Sequence, residues 1–113
     1  MGKQRKVERP TKRAEYTIMY TSNQAEKGWR DLAGSIRNPL TDCWDFLTRT
    51  PEKVTPTNYR LRGELGTITR NGCQYERWQH KPTRGGDARI WFYIDGQTVY
   101  LEQVHTSHPN ETK

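Results

Sequence analysis

ARIWFYIDGQTVYLEQVHTSH, residues 88–108, decides the fold. β-branched and aromatic residues fill both of its apolar runs, and Asp95-Gly96 between them is a two-residue hairpin signal, because Gly and Asp tolerate positive φ. With that turn Ile94 opposes Gln97, Phe92 opposes Val99 and Ile90 opposes Leu101, so one face of the hairpin is apolar. Arg89, Trp91, Tyr93, Tyr100 and Glu102 share the other face. Leu101 and Val104 are both apolar but differ in parity. A β-bulge near Glu102 and Gln103 resolves the conflict: it returns Val104 to the apolar face and turns His105 onto the face of Arg89. His108 follows on a short polar segment before Pro109.

Working upstream, residues from Leu65 onward read as a meander of four strands: LGTITR, an Asn71-Gly72 turn, CQYERWQHK, a loop holding Gly85-Gly86, and then the hairpin. The connector PEKVTPTNYRLRGEL has two prolines and no clear period, and it delivers Arg60, Arg62 and Gly63 to the meander. Before it lie two helical patterns. Asn23 and Glu26 stand at capping-box spacing, and Ala25, Trp29, Leu32 and Ile36 recur on one face of a helix of about 13 residues. In the second, Asn38 is the expected N-cap and Pro39 the first helical residue, with Leu40, Cys43 or Trp44, and Leu47 on one face until Pro51. So short a connection makes the two a helical hairpin, with Trp29, Trp44 and Leu47 as core and Trp78 either core or surface. YTIMYT (Tyr16 to Thr21) is the first strand. The expectation is an α+β fold of order β-α-α-β-β-β-β, an antiparallel meander with the helical hairpin on one face and the other face open.

Composition bounds the rest. The 113 residues suit one domain, here 16–109, with a basic disordered arm at 1–15 and a polar end at 110–113. Lys and Arg number 19 against 13 Asp and Glu, a net charge of +6 that favours polyanionic partners. No run approaches the roughly 18 apolar residues of a membrane span, and the start resembles no signal peptide, so a cytoplasmic protein without membrane contact is expected. Cys43 and Cys73 make neither a CxxC pair nor a disulfide framework; two free thiols are the expectation.

Several segments in this order resemble the RelE/ParE superfamily of toxins from type II toxin-antitoxin modules: YRLRGEL entering the meander, ARIWFYI with arginine at its start, and a last strand ending VHTSHPN. The likeness covers about residues 16–109 and looks like the actinobacterial and phage-borne subgroup. It implies a RelE-like fold, an endoribonuclease (mRNA interferase) cutting mRNA on the ribosome, and neutralisation by a cognate antitoxin. A ParE-like branch inhibits DNA gyrase instead, and a plain nucleic-acid or antitoxin-binding module is a third reading. His105 is followed by Thr106, so no terminal Arg or Tyr carries over from the family's common ending.

Metal-free RNA cleavage activates a 2'-hydroxyl against the adjacent phosphate and needs a base, cations for the phosphorane and an acid for the leaving oxygen. The resemblance makes Arg62 and Arg89 phosphate ligands, with Arg60 beside them. An imidazole titrates near neutrality and serves as base or acid, which suits His105, with His108 in reserve. Glu76 is the candidate carboxylate base, and Trp91 or Tyr93 would stack a splayed base. Blander readings stand beside these: Arg89 pairs with Glu102 across the strands, and Glu76 belongs to a solvated charged strand. His105 and His108 lack a third ligand, with His80 remote in sequence, so neither metal nor cofactor is expected.

Overall fold

The computed structural model describes Val7 and residues 15–107. The fold is α+β, with two helices and a mostly antiparallel sheet. Strand β1 (Thr17–Tyr20) leads into α1 (Asn23–Ser35) and α2 (Arg37–Arg49). Then follow β2 (Asn58–Arg60), a 3₁₀ turn (Gly63–Gly66), β3 (Thr67–Arg70), β4 (Cys73–Glu76), β5 (Trp78–His80), β6 (Arg89–Asp95) and β7 (Thr98–His105). Five strands form the main sheet in the order β1-β7-β6-β5-β2, with β1 parallel to β7, while β3 and β4 make a separate ribbon.

Two expectations about the meander are corrected. A strand is added to the expected four after the helices: Asn58–Arg60 of the connector pairs with β5 as an edge strand, too short for a hydrophobic period to reveal. CQYERWQHK is not one strand either. It breaks at Arg77, whose N–H donates to Gly66 O and whose carbonyl accepts from Leu61, and the chain passes from the ribbon into the sheet there. The ribbon's own turn is as expected, with Asn71 at φ 52 and Gly72 at φ 78 between paired Arg70 and Cys73.

β6 and β7 hold much of the core. Ile90, Phe92, Val99, Leu101 and Val104 are all buried beneath the helices with Ala25, Leu32, Leu40, Cys43, Leu47 and Trp78. Burying such side chains stabilises by roughly 1.5–3 kcal/mol each, so this hairpin anchors the domain. The expected faces are correct, but the register is displaced by two residues: Ile94 opposes Val99 and Phe92 opposes Leu101. Asp95 pairs with Thr98, making Gly96 and Gln97 the turn, and Gly96 alone supplies the positive φ (61).

α1 spans the expected 13 residues, capped by Ser22 rather than Asn23: the Ser22 hydroxyl accepts from Ala25 N at 3.0 Å. α2 begins at Arg37, one residue earlier than the expected cap, without a side-chain cap. Cys43 faces the core and Trp44 is exposed, correcting its expected core placement, because the stripe Leu40-Cys43-Leu47 meets the sheet. No helix among the described residues is long and apolar enough to cross a membrane.

Candidate functional site

The bulge expected from parity is present. Trp91 opposes Gln103 and Phe92 opposes Leu101, which leaves Glu102 as the extra residue and brings Arg89 directly opposite His105. The outer edge of this end of β7 is held by the segment leading into α1. Thr21 N donates to Leu101 O (3.0 Å), and Ser22 Oγ to Glu102 O (3.1 Å). The Gln24 amide then pairs with Val104 as a strand would, its Nε2 donating to Val104 O (2.7 Å) and its Oε1 accepting from Val104 N (3.0 Å). Gly28 lets α1 lie against the same residue: a Cβ there would stand 2.1 Å from Val104 O.

Arg89 is buried, at 7% exposure. Its Nη1 donates to Gly86 O and Ala88 O, both at 2.8 Å, which fixes the guanidinium against the β5–β6 loop. Its Nε has no hydrogen-bond partner among the described residues. The blander reading, an Arg89–Glu102 pair, is overturned because Glu102 is taken by Arg77. That pair is bidentate, Nε to Oε2 at 2.9 Å and Nη2 to Oε1 at 2.8 Å, with Arg77 also donating to Leu65 O. Among the described residues no carboxylate lies within ion-pair distance of Arg89. A guanidinium keeps its charge in proteins, and a buried charge is costly unless paired. Arg77 has its carboxylate; Arg89 has none among the described residues.

His105 Nε2 lies 2.7 Å from Gln103 Oε1. An amide oxygen accepts, so in this pair Nε2 carries the hydrogen. The ring meets Trp91 edge-on, centroids 5.6 Å apart at 73°.

The face around this pair is not open, contrary to expectation. Tyr75, on the ribbon, stacks on Tyr93 (4.9 Å, 28°), which stacks on Tyr100, and the Arg77 guanidinium lies 5.3 Å from the Trp91 ring centre. Trp91 Nε1 donates to Gln79 Oε1, and Gln79 Nε2 donates to Tyr59. Trp91 and Tyr93 are therefore buried, and neither offers a free ring face for a splayed base.

The remaining candidates are dispersed. Glu76 ion-pairs with Arg60 and lines a cleft with Glu52, Gln74 and Trp78. Ile94 and Gly96 line the same cleft, so Glu76 sits at the turn end of β6, and Arg89 is at the other end, about 15 Å along the strand at the usual rise. That distance removes it as the base for Arg89. Arg60 is neutralised by the same pair, and Arg62 is exposed before the 3₁₀ turn, with no hydrogen bond or ion pair to Arg89 among the described residues. His108 and most of the basic arm lie outside the described residues.

Sequence reasoning missed Arg77, Gln103 and a buried Asn58–His80 pair. Asn58 Nδ2 donates to Pro51 O and Lys53 O, both at 2.9 Å, and its Oδ1 lies 3.1 Å from His80 Nδ1. Burial pushes the His80 imidazole down to about 4. The Cys43 thiol is pushed up to about 12, first by burial and then by Asp42. Cys73 is exposed, and both thiols are free.

No protein-family model matches the chain, and no curated protein matches it.

Proposed function

We propose that this chain is a RelE-like toxin, an endoribonuclease that cuts mRNA on the ribosome and is silenced by a cognate antitoxin. The observation that carries the reading is the uncompensated guanidinium of Arg89, fixed by two backbone carbonyls directly opposite His105. In this reading Arg89 holds the scissile phosphate and stabilises the charge that develops on its oxygens. His105 exchanges protons with the attacking 2'-hydroxyl or the leaving 5'-oxygen. Helices following the first strand, and a central β6–β7 hairpin, support a RelE-like topology in which β3–β4 is an excursion from the sheet.

A second reading is a nucleic-acid or antitoxin-binding module without chemistry. It is favoured by the distance of Glu76 from Arg89, since no other carboxylate base was expected there.

Induction of the protein in cells, followed by mapping of transcript ends, tests the proposal. New internal mRNA cuts that vanish in Arg89→Ala are expected. Intact mRNA with arrested growth would refute it, and an Arg89-independent arrest with blocked DNA supercoiling would point to gyrase.

A further inference from the structure

A second cleft lies on the helix side of the sheet, away from the Arg89 face. Pro39, Asp42, Cys43 and Phe46 of α2 form one wall; His80, Pro82 and Arg84 are on the other side of a space of ≈ 220 Å³. The four α2 residues fall at i, i+3, i+4 and i+7, one stripe of the helix.

His80 is built into this cleft as a hydrogen-bond acceptor. Both donor hydrogens of the Asn58 amide are committed to Pro51 O and Lys53 O, so its Oδ1 can only accept from the ring. Nδ1 therefore carries the hydrogen, and Nε2 holds a bare lone pair. His80 is 6% exposed, and its Nε2 has no partner among the described residues. Phe46 lies against the ring, centroids 5.1 Å apart. The low pKa keeps the ring neutral, hence an acceptor, at physiological pH.

The polar groups at the mouth are complementary in kind. Asp42 and Arg84 are both exposed and make no ion pair with each other or with any other described residue. The cleft thus offers two acceptors, His80 Nε2 and the Asp42 carboxylate, a forked donor in Arg84, the Lys81 ammonium and the Thr57 hydroxyl beside them, and flat apolar walls from Phe46, Pro39 and Pro82.

We infer that this cleft binds a nucleobase, with guanine preferred, read by His80, Asp42 and Arg84. Guanine carries N–H donors on one edge and the O6 and N7 acceptors that a guanidinium fork matches on the other. Adenine lacks the donor at N1 and the acceptor at position 6. An unstacked base of single-stranded RNA would enter edge-first and stack against Phe46. The choice of a nucleobase rests on the RNA reading proposed above; the acceptor geometry of His80 does not.

Titration of the ¹⁵N-labelled full chain with 5'-GMP, observing the imidazole nitrogens, tests this. GMP should move the unprotonated Nε2 signal of His80 upfield, and should bind about tenfold more tightly than 5'-AMP. Asp42→Asn and Arg84→Ala, both surface changes, should each weaken GMP binding by about tenfold, the loss of one charge-assisted hydrogen bond. GMP binding that leaves the His80 signal unmoved, or that discriminates nothing from AMP, would overturn the inference. So would no binding in a protein that still cuts RNA through Arg89, which would leave the proposed function standing. GMP bound at His80 in a protein that cuts no RNA would uphold the inference and defeat that function.

Discussion

Arg89 and His105 are direct cross-strand partners, and they are so only because Glu102 is an extra residue in β7. Without the bulge, Val104 and His105 would exchange faces. An apolar residue would leave the core and the imidazole would enter it. The same bulge sends Glu102 to Arg77, which leaves Arg89 as a buried cation without an anion among the described residues.

Arg89→Met should abolish RNA cleavage while holding or raising stability, by up to about 2 kcal/mol, since it removes an uncompensated buried charge. Denaturant unfolding beside a cleavage assay checks this. A destabilisation above about 2 kcal/mol would mean that the bonds to Gly86 and Ala88 are structural.

Glu102→Ala should behave in the opposite way. It strands the Arg77 guanidinium beneath Trp91 and should cost about 3 kcal/mol, the usual result of removing one partner of a buried pair. Replacing both, as Arg77→Met with Glu102→Leu, should lose less than Glu102→Ala alone. A double variant as unstable as the sum of the single ones would contradict the account.

Gln24→Ala should loosen the site without unfolding the domain. Val104 loses the side chain that pairs with its N–H and C=O, at a cost of about 1–2 kcal/mol. Hydrogen exchange at Val104 should accelerate and cleavage should fall, whereas exchange in β5 should not change. Uniform acceleration across the sheet would show a global effect instead.

Acid should destabilise the fold through His80. Its folded pKa, about 4, lies below the unfolded value near 6.5, so the unfolded chain binds the extra proton in that window and stability falls as pH falls. The loss from His80 alone is roughly 3 kcal/mol between about pH 6.5 and 4. Urea midpoints across this range should drop in the wild type and flatten in His80→Leu. Equal slopes in both would exclude His80 as the cause.

The hairpin was legible because its apolar parity is strict: Ile90, Phe92, Val99, Leu101 and Val104 admit one assignment of faces, and the odd spacing of Val104 calls for the bulge. The exact turn was not, because Asp95-Gly96 and Gly96-Gln97 preserve the same parity and differ only in where the glycine's positive φ falls. β2 escaped notice because three residues carry no period. The covered face of Trp91 and Tyr93 depends on where the ribbon folds, a long-range contact between Tyr75 and Tyr93 that neither local sequence encodes. Glu76 entered as the candidate base from its residue type on a strand read as CQYERWQHK; the break at Arg77 puts it in the ribbon, at the turn end of β6. Asn58 and His80 sit on short, charged stretches, where nothing local marks a buried pair.

The most direct test is the chemistry of the RNA ends produced by the purified protein with programmed ribosomes. Attack by the 2'-hydroxyl at a phosphate held by Arg89 leaves a 2',3'-cyclic phosphate or its 3'-phosphate product together with a 5'-hydroxyl, and Arg89→Ala leaves the message uncut. Ends bearing a 3'-hydroxyl and a 5'-phosphate, or the same cuts in Arg89→Ala, would contradict the account.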